Sequence, residues 1–256
     1  MVQDFQIGAI IPTYRHVNAL GGIVDALVAL NCPVIIVDDG NSPENAAIIA
    51  QQQDAMRRVE VIRLDENGGK GQAVKRGFLA AKTAGWSHAV QIDADGQHDI
   101  SQLPHMLKLA EQNPEAVICG VPVYDHSIPK GRKIGREITH FWVRVETLSL
   151  EINDSMCGFR AYPVDDAIHV TKHEIIGARM DFDTEILVQL NWRGLRVIEH
   201  PTKVIYPTEN VSNFRMLWDN VRITAMHTRL AIQAPIRVPI RMMRRMFTRK
   251  YPKLSN

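Results

Sequence analysis

No uninterrupted apolar run in this chain approaches the ~20 residues that a spanning helix needs, so it is expected to be soluble or peripheral to a membrane rather than integral. Its first residues, MVQDFQIGAII, have neither the basic start nor the long apolar region of a secretion signal. Cysteines are scarce: Cys32, Cys119 and Cys157 are odd in number, far apart and without metal-binding spacing, which points to a reducing, cytoplasmic setting. Net charge is nearly absent, +2 over 256 residues, so the whole chain is no binder of nucleic acid or another polyanion. No internal repeat, low-complexity segment or interdomain linker interrupts it.

What is present is 45% hydrophobic residues, enough for one sizeable core, laid out in a regular alternation. QIGAIIP (6–12), CPVIIVDDG (32–40), VEVIRL (59–64), HAVQIDAD (88–95) and AVICGVPV (116–123) read as strands. NALGGIVDALVAL (18–30), SPENAAIIAQQQDAM (42–56), GKGQAVKRGFLAAKTAG (69–85) and ISQLPHMLKLAEQN (100–113) read as helices, the second capped by Ser42 with Pro43 in its first turn. Such a rhythm predicts a parallel sheet covered on both faces, with ligands at the carboxyl ends of its strands. Beyond residue 124 the pattern changes. A cation-rich loop leads into an amphipathic helix within 125–150. NDSMCGFRAYPVD (153–165) reads as irregular. MDFDTEILVQLNWRG (180–194) is a helix stopped by Gly194, 195–207 a strand pair or a strand and loop, and 213–235 a helix ended by Pro235.

Acids stand at two of the predicted strand exits, in VDDG and IDADG. On a strand, Asp93 and Asp95 point the same way, and two aligned carboxylates repel unless a cation lies between them. Mg²⁺ or Mn²⁺ suits them, and Gln97 repeats the spacing with a carbonyl oxygen, leaving positions for a diphosphate. Other readings fail on the letters. An EF-hand starting at Asp93 would need Gly and Glu where His98 and Pro104 stand. GGKGQA lacks the Ser or Thr of a P-loop, and Val74 breaks a dinucleotide fingerprint. A phosphatase with Asp93 as nucleophile stays open, as do a non-catalytic nucleotide-binding module and a nucleotidyltransferase. In NGGKGQAVKRG, close backbone approach, a helix start with free N–H groups and Lys70 suit a phosphate.

Together IIPTYRHVNAL, VIIVDDGNS, ENGGKGQAVKRG, QIDADGQHDISQLP and DSMCGFRAY resemble, in order and spacing over residues 6–206, family 2 of the glycosyltransferases, in the branch of dolichol-phosphate mannosyltransferases and polyprenyl-phosphate enzymes. The resemblance implies an α/β fold of GT-A type: a Rossmann-like, mostly parallel central sheet flanked by helices. One domain would cover 1–235, with a nucleotide-sugar half over 1–124 and an acceptor half over 125–235. It implies inverting, metal-dependent transfer from a nucleotide-diphosphate sugar to a lipid-phosphate or other membrane-associated acceptor. Pro12, Thr13 and Tyr14 would line the nucleotide, with Asp38 or Asp39 on the base. Asn67, Gly68 and Lys70 would also lie on the donor, with Asp93 and Ala94. Asp93, Asp95 and Gln97 would hold Mg²⁺ or Mn²⁺. Arg15-His16 stand where the family usually has Asn-Glu, and Ser155-Met156-Cys157-Gly158-Phe159-Arg160 where the branch has Pro-Thr-Ser-Gly-Phe-Arg.

A hydroxyl acceptor would call for a carboxylate base, for which Asp181, Asp183 and Glu185 are candidates; the same acids also suit a helix N-terminus. A phosphate acceptor needs no base and would instead gather Arg132, Arg136 and Arg160. His98 and His105 read as helix-start or surface groups rather than metal ligands, and Trp142, Trp192 and Trp218 as packing residues. The stretch 236–256, rich in Met and Arg, reads as a basic amphipathic tail for an anionic membrane surface, which would place the protein at the inner face of a membrane.

Overall fold

The computed structural model describes residues 5–123, 130–203 and 216–247. Over the first half the periodicity is realised directly. Strands β1 (Ile7–Thr13), β2 (Val34–Asp38), β3 (Val59–Arg63), β4 (His88–Gln91) and β5 (Ala116–Val123) alternate with helices α1 (Leu20–Ala29), α2 (Pro43–Ala50), α3 (Lys70–Thr83) and α4 (Leu103–Gln112). The second half contributes α5 (Lys130–Thr147), β6 (Arg160–Pro163), α6 (Val164–His173), α7 (Phe182–Arg193), β7 (Arg196–Lys203) and α8 (Met216–Phe247).

Seven strands form one sheet in the order β3-β2-β1-β4-β6-β5-β7. Every neighbouring pair is parallel except those of β6, which runs antiparallel to both β4 and β5. Alternate side chains divide the core in two. Ala9, Ile11 and Ile36 pack with Leu20, Ile49 and Met106 of α1, α2 and α4. Ile10, Ile35 and Val37 pack with Phe78, Phe182 and Leu230 of α3, α7 and α8. With both faces covered, the carboxyl edge of β1, β2 and β4 is left as the place for a site.

Local signals behave as expected at several ends. Ser42 caps α2 through the Asn45 N–H (3.4 Å) with Pro43 behind it, and Gly194 closes α7 in the left-handed region at φ 112°. α2 stops at Ala50 rather than 56. Asp54 takes the N–H groups of Met56 (2.9 Å) and Arg57 (3.1 Å), a local turn that competes with the helix.

Larger differences follow from tertiary packing. The segment expected to be irregular contains β6, and the residues after it form α6. β6 forms because β4 and β5 each offer an edge to RAYP. β4 ends at Gln91, so Asp93 and Asp95 sit on a turn rather than on a strand. α8 does not end at Pro235 but runs on through Pro235 and Pro239 to Phe247. Two interior prolines cost ~6 kcal/mol. Against this stand the burial of Met226, Leu230 and Val238, at roughly 1.5–3 kcal/mol each, and four inward arginines. Arg229 pairs with Glu185, Arg237 with Glu174 (2.6 Å), Arg241 with Asn191 (2.6 Å) and Arg245 with Glu151 (2.6 Å). The prolines lie on the exposed side, where the carbonyls they free meet water. The first part of the expected basic tail is therefore helix, with Arg237, Arg241 and Arg245 turned toward the body. Residues 248–256 lie outside the described residues, as do the loop 124–129 and the second half of the strand pair, 204–207.

Candidate active site

The β1 and β2 exits are stitched together by Asn41. Its Nδ2 donates to the Thr13 carbonyl (2.8 Å) and to Asp38 Oδ1 (2.7 Å), and its Oδ1 accepts the Arg15 N–H (2.7 Å), at a residue with φ 66°. Asp38 also receives Arg63 (2.5 Å). Pro12 and Thr13 are buried at the end of β1, and Tyr14 is half-buried with the Arg15 guanidinium 5.1 Å from its ring centre.

Asp39 faces the next loop. It accepts from the N–H groups of Gly68 and Gly69 (2.9 Å each) and from Asn67 Nδ2 (2.8 Å). Burial pushes its carboxyl above the usual range against those donors. Gly40, at φ 65°, permits the approach: a Cβ there would meet the Asn67 nitrogen at 2.5 Å. Asn67 is held in turn by Arg179 Nη1 (3.0 Å), and the Ala178 carbonyl accepts the Gly71 N–H (2.8 Å). These bonds correct one expectation. The N–H groups of Gly68, Gly69 and Gly71 are engaged within the protein, so the start of α3 does not display them as free donors to an anion.

The centre of the site is Lys70. Its ammonium lies 2.8 Å from Asp93 and 2.7 Å from Asp183, which α7 brings in from 113 residues away. Burial opposes the charged lysine, but the two carboxylates prevail and raise its pKa above the ordinary lysine value. Asp183 is completed by Gln91 Nε2 (2.9 Å), and Gln91 Oε1 accepts the Tyr162 hydroxyl (3.4 Å). Gly158 closes over this cluster. A Cβ there would come within 2.7 Å of Asp93 Oδ2 and 2.8 Å of Gln91 Nε2, and closer still to Lys70 Nζ. His98 stacks on Phe159 (5.2 Å) with Nε2 3.5 Å from Asp93, so it belongs to the site rather than to the surface.

Among the described residues no cluster of three or more His, Cys, Asp or Glu could hold a metal ion, so a cation here rests on the DADGQ turn. The fit is nevertheless good. Burial acts to raise the Asp93 carboxyl, yet Lys70 and His98 hold it well below the carboxylate range, so it is an anion. Both oxygens of Asp93 face the Lys70 ammonium, Oδ2 accepting its hydrogen bond (2.9 Å) and the buried Oδ1 lying 2.8 Å from it. Burial and the neighbouring Asp93 charge raise Asp95, whose Oδ1 accepts only the Gln97 N–H (3.0 Å). Two crowded carboxylates and the Gln97 amide make a hard-oxygen set suited to Mg²⁺ or Mn²⁺. Ala94 between them is buried.

The remaining acids and arginines are less open than expected. Asp181 occupies the N-cap position of α7 without capping it; its Oδ1 accepts the Arg179 N–H (3.1 Å). Glu185 is fully enclosed, its Oε2 accepting the Gly177 N–H (2.7 Å) and its Oε1 accepting Arg229 Nε (3.2 Å). It anchors α8 and is not placed to take a substrate proton. Glu185→Gln should therefore cost about 1–3 kcal/mol of stability, a Tm fall of ~2–12 °C, with turnover unchanged well below Tm. Lost turnover at unchanged Tm would restore it as a base. Arg160 is fully buried and donates to the Asp183 carbonyl, so it braces the start of α7. Arg136 pairs with Asp154 (Nε 2.7 Å), which also accepts the Met156 and Cys157 N–H groups (2.9 Å each). The Arg132 side chain lies outside the described residues. His105 is exposed and stacks near His200 (4.3 Å). Trp192 is a packing residue as expected; Trp142 and Trp218 are exposed. All three cysteines are free and buried, with burial raising each thiol to about 12.

The sequence reading did not single out Asn41, Gln91, Tyr162 and Arg179. Gln91 alone left a signal, as a polar residue between Val90 and Ile92 at the end of β4.

A mostly parallel α/β sheet with acids gathered at the β2 and β4 exits is the GT-A fold of glycosyltransferases. The same fold is seen in a mannosyltransferase from Pyrobaculum calidifontis in complex with GDP-Man and Mn²⁺ (TM-score 0.56, 12% identity, 94% of this chain and 74% of that one). More particularly, the chain belongs to glycosyl transferase family 2, whose profile matches residues 9–168. It is 28% identical to an undecaprenyl-phosphate mannosyltransferase of Micrococcus luteus over 75% of this chain and 80% of that protein. It is 27% identical to a dolichyl-phosphate beta-glucosyltransferase of Dictyostelium discoideum, over 73% of this chain and 62% of that protein. Family membership sets aside the phosphatase and non-catalytic readings.

Proposed function

We propose that the protein transfers a hexose, with inversion, from a nucleoside diphosphate sugar to a polyprenyl phosphate. The observation that carries this reading is the state of the acids around Lys70. Asp183 has both oxygens engaged by Lys70 and Gln91, Asp181 is turned onto its own loop and Glu185 is enclosed. None of these three carboxylates is left as a base for a hydroxyl. A phosphate acceptor is already an anion and needs none. The names of relatives that act on dolichyl and undecaprenyl phosphates support the same acceptor class.

In this reading an acceptor phosphate oxygen forms a bond to the anomeric carbon as the bond from that carbon to the diphosphate breaks. The electron pair leaves with the nucleoside diphosphate. Pro12, Thr13 and Tyr14 and the acids of the DDG turn border the nucleoside, with Asn67, Gly68 and Ala94 beside it. Lys70 holds Asp93 at the donor phosphates and keeps Asp183 from repelling them. Asp93, Asp95 and Gln97 would hold Mg²⁺ or Mn²⁺, which when bound supplies Lewis-acid stabilisation of the leaving diphosphate. Arg136, and Arg160 through the start of α7, set the turns that face the acceptor, and Arg132 stands in the first turn of α5. Such an acceptor puts the protein at a membrane surface, and the three free thiols agree with the cytoplasmic side. No helix among the described residues is long and apolar enough to cross a membrane.

Thermal unfolding with UDP- and GDP-sugars, each with and without Mn²⁺, tests the donor half of the reading. A donor at a hundred times its Kd adds ~2.7 kcal/mol, a Tm rise of ~5–11 °C, for one base and only with the metal. No shift with any nucleotide sugar would overturn it.

A further inference from the structure

Helices that face water usually present polar residues, and α5 does the reverse. Ile138, Phe141, Trp142 and Val145 recur at i, i+3, i+4 and i+7 and are all exposed, Phe141 by 59%, and Leu148 just past the helix end is exposed by 69%. The opposite side of the helix, with Thr139, His140, Val143 and Glu146, is the buried one. α8 packs beside it and also turns apolar residues outward: Leu217, Val221 and Ile232 are exposed along a groove of about 980 Å³, and Ile236 is exposed one turn beyond it. Glu146 and His227 join the two helices (2.8 Å), and the Trp142 ring lies 6.4 Å from that of His227.

The charges indicate what covers this face. α8 contains one acid, Asp219, and it is buried. Of the two acids of α5, Glu146 is buried and only Glu137 is exposed. Arg144 is exposed within the apolar stripe. An acid-poor apolar face with exposed tryptophans and a long cation suits the boundary between lipid headgroups and acyl chains, where amphipathic side chains bury their bodies and keep their tips wet. The face also connects to the site. The inner side of α5 carries Arg136, whose partner Asp154 shapes the turn leading to Gly158 over Lys70 and Asp93.

We propose that the outward faces of α5 and α8 insert into the headgroup layer of a bilayer and hold the Asp154–Gly158 turn at the membrane surface. This rests on the polyprenyl-phosphate reading for its purpose, but not for its test. Burial of apolar area drives it, rather than attraction to a cationic tail.

Full-length chain is floated with vesicles of phosphatidylcholine containing phosphatidylglycerol. The wild type should float, still do so in about 0.5 M salt, which screens exposed charges, and show a blue shift of tryptophan emission. F141D/V145D and I232D/I236D should each weaken vesicle binding about tenfold or more. Both should keep the wild-type Tm and the wild-type transfer rate to a short, water-soluble polyprenyl phosphate. The proposal falls if the wild type stays in the lipid-free fraction or the aspartate variants float equally well. It also falls if the wild type is a dimer that these substitutions dissociate, since the face would then cover a second copy. Flotation lost in the variants, with no transfer to the short acceptor by any form, would uphold the surface and refute the acceptor reading.

Discussion

Replacing Asp95 by Asn should lower sugar transfer about a thousandfold and leave the fold intact. The stability half follows from its position. Asp95 sits on a turn, partly exposed, and its one hydrogen bond, from the Gln97 N–H, is one that an amide oxygen also accepts. The activity half follows from charge. A Lewis acid contributes several kcal/mol at a leaving diphosphate, and about 4 kcal/mol is a factor of ~10³ in rate. Asn in place of one of two carboxylates weakens the hold on the ion, so raised Mn²⁺ should return part of the activity. Initial rates at saturating donor across a Mn²⁺ series, with Tm measured alongside, check this. A full rate in the variant would remove the metal from the mechanism.

Lys70→Met should produce the largest loss of stability, about 3–5 kcal/mol or ~6–20 °C in Tm. The cation it deletes is the shared partner of the half-buried Asp93 and the buried Asp183. Methionine fills much of the space but leaves two carboxylates facing each other. The loss should depend on pH, with a sign that follows from the shifts. In the wild type Asp93 is held below the carboxylate range, so it stabilises above the unfolded value of ~3.9 and loses that contribution as pH falls through its folded value. In the variant burial acts on Asp93 without Lys70 and pushes its carboxyl up, so folded stability falls as pH rises from ~4 to ~7. Unfolding at pH 7 should therefore show a wider gap between wild type and variant than unfolding at pH 4. A gap independent of pH would mean that Lys70 stabilises by packing alone.

Much of the framework can be read along the chain because its signals are local. VIIVDDG announces a buried strand and its exit within seven residues, Ser42-Pro43 starts a helix, and Gly194 ends one. The acids at strand exits and the five family motifs are of the same kind. Other features left no such mark. RAYP is too short to read as a strand and becomes one only because β4 and β5 flank it. Pro235 is a sound stop signal by local rules, yet the burial of Leu230 and Val238 on the other side of α8 outweighs it. Arg160 reads as a contact for an acceptor phosphate but lies buried under the start of α7. Trp142 fits a helical apolar pattern, and the pattern is real; it faces outward.

The alternation of strands and helices along the first half, the exits of those strands and the pair of acids at 93 and 95 were settled by residues a few positions apart, because periodicity, caps and turns act over that range. Which carboxylate shares a lysine, which acid is enclosed and which side of an amphipathic helix meets water were settled only when distant segments packed. Lys70 and Asp183 meet across 113 residues, and the cost of burying a charge falls only when its partner arrives.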